Sequence, residues 1–279
     1  VLVWGDGAVG RGLAVALSRN AEVILVGPPG CSEGIVEVVC TGAIRGRARL
    51  PLVRPASAPA ADSVLAALKA YDISGAAEDI RRTGCPVVCL SNGMGLEEEW
   101  GGPACGVEYA VVLGGFRRAG DGLVETHPGG IIAARSGKAA ELLEGAVDDL
   151  VLADSVAPWR WAKWLLNSSL NPVAALAGAA NDELAPAGLD MIVREMQAEM
   201  APAVPAACRA WASAKALEMG DYLFANSSNR CSMLGDLDAG RRTEIEFLTG
   251  LAVRRLPPGG CPVCRAVYLL MRARCGSNA

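Results

Sequence analysis

Three side chains that could do chemistry recur every four residues: Lys163, Asn167 and Asn171. If the stretch from Trp159 to Pro172 is helical, all three fall within one arc of the 3.6-residue turn. Trp161, Trp164, Leu165, Leu166 and Leu170 occupy the other faces and are apolar enough to bury most of the segment. A lysine and two carboxamides rising from a buried helix are costly to desolvate without partners. Such a stripe suits the wall of a site, with an ammonium as proton donor and amides that orient a small polar ligand. The plainer alternative is a solvated helix face carrying a chance lysine.

A second stretch has chemical meaning through its glycines. The apolar run Val1–Trp4 leads into Gly5-Asp6-Gly7-Ala8-Val9-Gly10, then a helical pattern from Arg11 to Asn20 and a strand at Glu22–Val26. Strand, GxGxxG, helix and strand in one compact unit is the context that makes this motif a dinucleotide site. Gly5 allows the tight turn, Gly7 lets backbone amides approach a pyrophosphate, and Gly10 lets helix and strand pack closely. The helix N-terminus adds partial positive charge. The end of the second strand usually separates NAD from NADP through an acid or a cation. Here it reads Gly27-Pro28-Pro29-Gly30, which offers neither, and Arg11 is the nearest cation.

Further chain ends of buried strands carry polar groups. Asp62–Leu68 reads as a strand ending at Lys69, and Pro86–Leu90 as one ending at Ser91-Asn92-Gly93. In an open parallel sheet ligands bind beyond such ends, which places Lys69 and Asn92 near a cofactor or its substrate. Arg45, Arg47 and Arg49 read as a solvated hairpin. Ile131–Ala134 continues the sheet, and Ala139–Leu150 reads as a helix. Near the C-terminus, Ser228–Leu237 fits one helix, and Thr243-Glu244-Ile245-Glu246 fits a capping box that sets Glu244 on a first helical turn.

Composition bounds the rest. The 279 residues suit two domains, and the 52% hydrophobic content suits a sheet buried on both faces, with no apolar run long enough to span a membrane. A net charge of −4 with mixed signs offers no broad basic surface for nucleic acid. The chain opens almost inside its first strand, with no leader read before it. Ten scattered cysteines and one histidine, His127, give neither a disulfide framework nor a metal site, and point to a reducing, cytoplasmic setting. Cys261-Pro-Val-Cys264 is the one suggestive thiol pair. From Asp154 the alternation of strands and helices gives way to helix after helix, so the boundary is expected between residues 155 and 156. Leu189–Arg209 reads as a helix kinked or broken by Pro202 and Pro205, Trp211–Met219 as another, Asn181–Glu183 as a turn, and Asn171-Pro172 as the break in the first.

With these stretches assembled, the chain resembles the ketopantoate reductase (2-dehydropantoate 2-reductase) family over nearly its full length. The matching pieces are GDGAVG at 5–10, LKAYD with Lys69, NGMG with Asn92, AKWLLNSSLNP with Lys163, Asn167 and Asn171, Asn181, NRCSMLGD with Asn229 and Ser232, and RRTEIE with Glu244. The resemblance implies a Rossmann-type α/β domain (1–155) and an all-α domain like the C-terminal part of 6-phosphogluconate dehydrogenase (156–279), with catalysis between them. It implies that Lys163 gives the proton and Glu244 lies where cofactor and substrate meet. Asn92, Asn167, Asn171, Asn181, Asn229 and Ser232 would hold a 2-oxo acid, and Gly5–Gly10, Lys69 and Asn92 the cofactor. NADPH is the implied reductant, with NADH use left open by Gly27-Pro28, where the family has a cation. The same chemistry on another 2-oxo acid or imine, a non-catalytic nucleotide sensor, and a redox module on Cys261 and Cys264 are the rival readings. A homodimer is compatible with the apolar helical half.

Overall fold

The computed structural model describes residues 1–102 and 104–276. The first half runs β1 (Leu2–Trp4), α1 (Ala8–Leu17), β2 (Ile24–Val26), β3 (Gly34–Gly42), β4 (Gly46–Val53), β5 (Val64–Ala66), α2 (Ile73–Arg82) and β6 (Val87–Cys89). It continues with α3 (Leu96–Glu99), β7 (Glu108–Tyr109), β8 (Val111–Val112), β9 (Phe116–Arg118), β10 (Leu123–Thr126), β11 (Ile131–Ala134), α4 (Lys138–Leu143) and β12 (Leu150–Ala153). The second half is helical: α5 (Ala157–Ala177), α6 (Asn181–Leu184), α7 (Asp190–Met200), α8 (Ala206–Asn226), α9 (Ser232–Asp238), α10 (Thr249–Arg255) and α11 (Pro262–Cys275).

Two compact units result. One holds Val1–Ser91 with Leu96–Val156; the other holds Asn92–Gly95 with the chain from Ala157 onward. In the first, the main sheet has the order β7-β6-β5-β1-β2-β4-β3-β10-β9. From β7 to β4 every pairing is parallel. The chain leaves β1 toward β2 through α1 and later returns to β1's other side as β5, so β1 sits at the switch point where such sheets bind ligands. The strands are short and uninterruptedly apolar because both faces are covered: Leu2, Val3, Val64, Leu65 and Val88 are all fully buried. β3 and β4 form the expected arginine-bearing hairpin, Glu37 facing Arg49 and Val39 facing Arg47.

The second unit is built around α5, which packs against α7, α8, α9 and α11. Trp164, Leu165, Leu170 and Ala174 sit in a core shared with Val193, Met196, Ala212, Ala216, Leu234 and Met271. The helix runs straight through Pro172 instead of breaking there. Proline has no N–H, so the carbonyl four residues back, on Ser168, loses its helical partner. The Thr249 hydroxyl supplies one, donating to Ser168 O at 2.6 Å, with both residues fully buried.

Other expectations are corrected. The helix read over 139–150 stops at Leu143, and Leu150–Ala153 is a strand; β11 joins it and β8 in a separate three-stranded sheet, not the main one. The helix read over 189–209 is broken, not kinked, at its prolines: α7 ends at Met200, and Pro205 precedes α8, which absorbs 211–219 and runs to Asn226. Proline's fixed φ and missing N–H suit that entry position. Asn181–Glu183 is not a turn but opens a short helix. The helix read from Ser228 starts only at Ser232, leaving Asn229 in the preceding loop.

The capping box at 243–246 is absent. Thr243 Oγ1 meets Cys275 Sγ at 3.6 Å, and the Glu246 carboxylate accepts from Tyr268 Oη (2.7 Å) and Arg254 Nη1 (2.7 Å). Residues 245–248 form a turn in which Phe247 N donates to Glu244 O at 3.0 Å, and α10 begins at Thr249. Long-range partners for Glu246 outcompete the local cap that the spacing offers.

Candidate active site

In the first unit the glycine turn is built as its spacing requires. Gly5 has φ +109°, and a Cβ there would lie 2.5 Å from Ala67 O. A Cβ at Gly10 would lie 1.8 Å from Gly5 O, so the close packing of α1 onto the turn excludes any side chain. Gly7 differs: a Cβ would meet nothing within 4 Å, so the space over it is open. Gly7 is also the residue preceding α1, and its carbonyl accepts from Arg11 N at 2.9 Å. Two glycines are thus required by the fold, while Gly7 leaves open space at the N-terminus of α1, the kind of place a pyrophosphate can approach. Arg11 is buried, and its Nη2 lies 3.3 Å from Asp6 Oδ2 while its Nε donates to Asp6 O at 3.0 Å. That pairing ties the arginine to the turn itself. Lys69 follows β5, its carbonyl accepting from Asp72 N at 2.9 Å, and Ser91 Oγ after β6 donates to Leu68 O at 2.7 Å. The ends of β5 and β6 are thereby pinned together.

In the helical unit, Lys163, Asn167 and Asn171 lie on α5 as one stripe. Asn171 is buried, and Lys163 and Asn167 are half-buried. Burial is the leading influence on the Lys163 ammonium and lowers its pKa from 10.5 to about 8, against an upward pull from Glu244. Glu244 is itself 5% exposed, and its Oε2 accepts from Asn92 Nδ2 at 3.3 Å. Asn92 is held there because the segment 92–95 lies on Phe247: Met94 N donates to Phe247 O at 3.3 Å. Gly93 at φ +97° leaves no room for a Cβ, which would fall 2.8 Å from Phe247 Cβ. The structure therefore brings Lys163, Glu244 and Asn92 together, although Asn92 and Glu244 are 152 residues apart in sequence.

The remaining amides form a second group. Asn181, 3% exposed, opens α6; its N donates to Asn229 O at 3.1 Å and its Nδ2 to Ser227 Oγ at 3.3 Å. Asn181 Oδ1 is buried and makes no hydrogen bond among the described residues. An orphaned buried acceptor costs about 1–3 kcal/mol, and a ligand hydroxyl would relieve it. Ser232 opens α9 and is exposed. Sequence reasoning missed two residues, Ser227, which aims Asn181, and Thr249, which repairs α5 at Pro172. A proline inside a helix pattern does signal that some hydroxyl is needed, but not which one.

Cys261 and Cys264 stand apart from this chemistry. Both are fully buried; burial pushes the Cys261 thiol up and the Cys264 thiol well above the ordinary thiol range. Glu199 caps α11, its carboxylate oxygens accepting from Val263 N and Cys264 N at 3.0 and 2.9 Å. Inaccessible protonated thiols are poor redox groups, so the pair serves packing. Among the described residues no cluster of three His, Cys, Asp or Glu is arranged to hold a metal ion, and no helix is long and apolar enough to cross a membrane.

A glycine-turn α/β unit and a helical unit with a half-buried lysine beside a buried carboxylate define a two-part oxidoreductase. The family model for ketopantoate reductase PanE/ApbA matches residues 1–134, and that for its C-terminal region matches residues 155–274. The 2-dehydropantoate 2-reductase of Halobacterium salinarum is 30% identical over 76% of this chain and 75% of its own length. That of Archaeoglobus fulgidus is 29% identical over 98% and 96%. Among solved structures, a dimeric ketopantoate reductase from Staphylococcus aureus superposes with a TM-score of 0.83 at 17% identity, covering 100% of this chain and 99% of its own. D-mandelate dehydrogenase in complex with NADH superposes at 0.80 with 20% identity over 100% and 99%. The chain belongs to the ketopantoate reductase family.

Proposed function

We propose that this protein reduces 2-dehydropantoate to (R)-pantoate, the step that feeds pantothenate biosynthesis, with NADPH as reductant. The observation that carries the reading is the half-buried Lys163 on the α5 stripe within the electrostatic reach of the buried Glu244, whose carboxylate also accepts from Asn92. When bound, the reduced nicotinamide supplies the hydride that attacks the keto carbon. As that carbon is reduced, negative charge grows on its oxygen, and Lys163 stabilises it and delivers the proton from Nζ. A lysine of pKa about 8 is a stronger acid than an ordinary one and remains mostly protonated at neutral pH, which suits the task. Glu244 keeps the ammonium charged and holds Asn92 by its amide.

Asn167, Asn171, Asn181, Asn229 and Ser232 bind the acid without being consumed, fixing the near-attack geometry. The orphaned Oδ1 of Asn181 supports its part as acceptor for a substrate hydroxyl. The turn Gly5–Gly10, with Asp6, Ala8 and Val9, receives the cofactor phosphates, and Lys69 and Asn92 its nicotinamide end. The domains in this reading are 1–155 and 156–279, and the protein acts as a homodimer.

The test is loss of reduced-nicotinamide absorbance with ketopantoate, run on the wild type and Lys163→Ala. Turnover that falls by about a hundredfold or more in the variant, the scale of a lost general acid, supports the reading. Wild-type cofactor binding without ketopantoate turnover removes it.

A further inference from the structure

The strand that should carry the 2′-phosphate cation ends in Gly27-Pro28, yet the sheet sets another cation beside it. β4 runs parallel to β2 in the register Leu25 with Leu52 and Val26 with Val53, so Arg54 leaves the sheet at the same end as Gly27. Neighbouring strands lie about 4.8 Å apart, and Gly27 N still donates to Val53 O at 3.0 Å. Arg54 is exposed and its guanidinium is turned toward the loop after β2: Nε donates to Cys31 O at 3.1 Å. That loop is itself fixed, since Cys31 N donates to Pro28 O at 3.0 Å and Cys31 Sγ packs where a Cβ on Gly27 would be. The Arg54 backbone is held as well, its N–H donating to Glu33 Oε1 at 3.0 Å. The tether uses Nε and leaves the Nη pair, the fork that grips phosphate, outside that bond. Arg11, the cation the sequence suggests, has its Nε and Nη2 turned to Asp6.

We propose that Arg54 reads the 2′-phosphate of NADPH, supplying from the neighbouring strand the cation that β2 lacks. The inference rests on the reading that the glycine turn holds the cofactor, and it closes the choice that Gly27-Pro28 left open between NADPH and NADH. The Glu33 carboxylate is engaged at this strand end, accepting from the Arg54 N–H and from the Ser57 side chain, with the Arg54 charge helping to hold its pKa low.

The experiment is equilibrium binding by titration calorimetry of NADPH, NADH, adenosine 2′,5′-bisphosphate and 5′-AMP to the wild type, Arg54→Ala and Arg54→Lys. Arg54→Ala is expected to weaken NADPH and the bisphosphate by about ten- to hundredfold, the scale of one or two charge-assisted hydrogen bonds, and to leave NADH and 5′-AMP within about twofold. Arg54→Lys is expected to keep part of the preference, and added salt to weaken NADPH binding more steeply in the wild type than in Arg54→Ala. Equal loss for phosphorylated and unphosphorylated ligands would make Arg54 an adenine contact, and no change for either would make it a surface residue; both outcomes overturn the proposal. A wild type that binds neither NADPH nor NADH overturns the cofactor reading and this inference together.

Discussion

Raising the pH should switch this protein off about two and a half units earlier than an ordinary lysine would. Burial lowers the Lys163 pKa from 10.5 to about 8, and Glu244 opposes that shift. At pH 9 a lysine of pKa 8 is only about one-tenth protonated, whereas an unshifted lysine is about nine-tenths or more protonated. In the proposed mechanism the charged form of Lys163 gives the proton, so kcat/KM with ketopantoate should hold at lower pH and fall with a midpoint about 8. Glu244→Gln removes the charge that holds the proton on, so its midpoint should move lower still. The same shift has a stability consequence of defined sign. Between about pH 8 and 10.5 the unfolded chain binds a proton at this lysine that the folded chain does not, so stability rises with pH across that window. The full shift corresponds to about 3 kcal/mol, reduced by the solvent that reaches the half-buried side chain. A pH–rate profile and denaturant melts at pH 7 and 10, each compared with Lys163→Met to subtract other groups, measure both effects. A wild-type midpoint at 10 or above, or an upward move in Glu244→Gln, would refute the reasoning.

Thr249→Val should destabilise the fold by about 1–3 kcal/mol by orphaning the buried Ser168 carbonyl. Pro172→Ala, which returns an N–H to that carbonyl, should recover part of the loss in a double-mutant cycle of denaturant melts. Gly10→Ala should fail to fold or melt far lower, because its Cβ would sit 1.8 Å from Gly5 O. Gly7→Ala should melt like the wild type and lose cofactor affinity, which calorimetry separates. Cys264→Ser should leave ketopantoate turnover unchanged, whatever it does to the melt.

Much of the site was legible because it is local. The helix period alone puts Lys163, Asn167 and Asn171 on one stripe, and a turn that needs φ +109° at Gly5 and no Cβ at Gly10 can be written only with glycine. The alternation of apolar strands with helices, then helices alone, likewise carries the two-part fold in composition and pattern. Tertiary structure decided what depends on a distant partner. Glu246 could serve a local cap or Tyr268 and Arg254, and the choice went to the partners 22 and 8 residues away. Pro172 reads as a helix breaker until Thr249, 81 residues on from Ser168, supplies the missing donor to that carbonyl. Asn92 reads as the end of a strand, yet its amide belongs with Glu244 and its segment with Phe247. Arg54 is one more exposed arginine just past β4 until parallel register sets it beside Gly27. Backbone conformation and helical period are encoded by neighbours in the chain, whereas the donor that meets a given carbonyl or carboxylate is selected from many chemically equal candidates by how the elements pack.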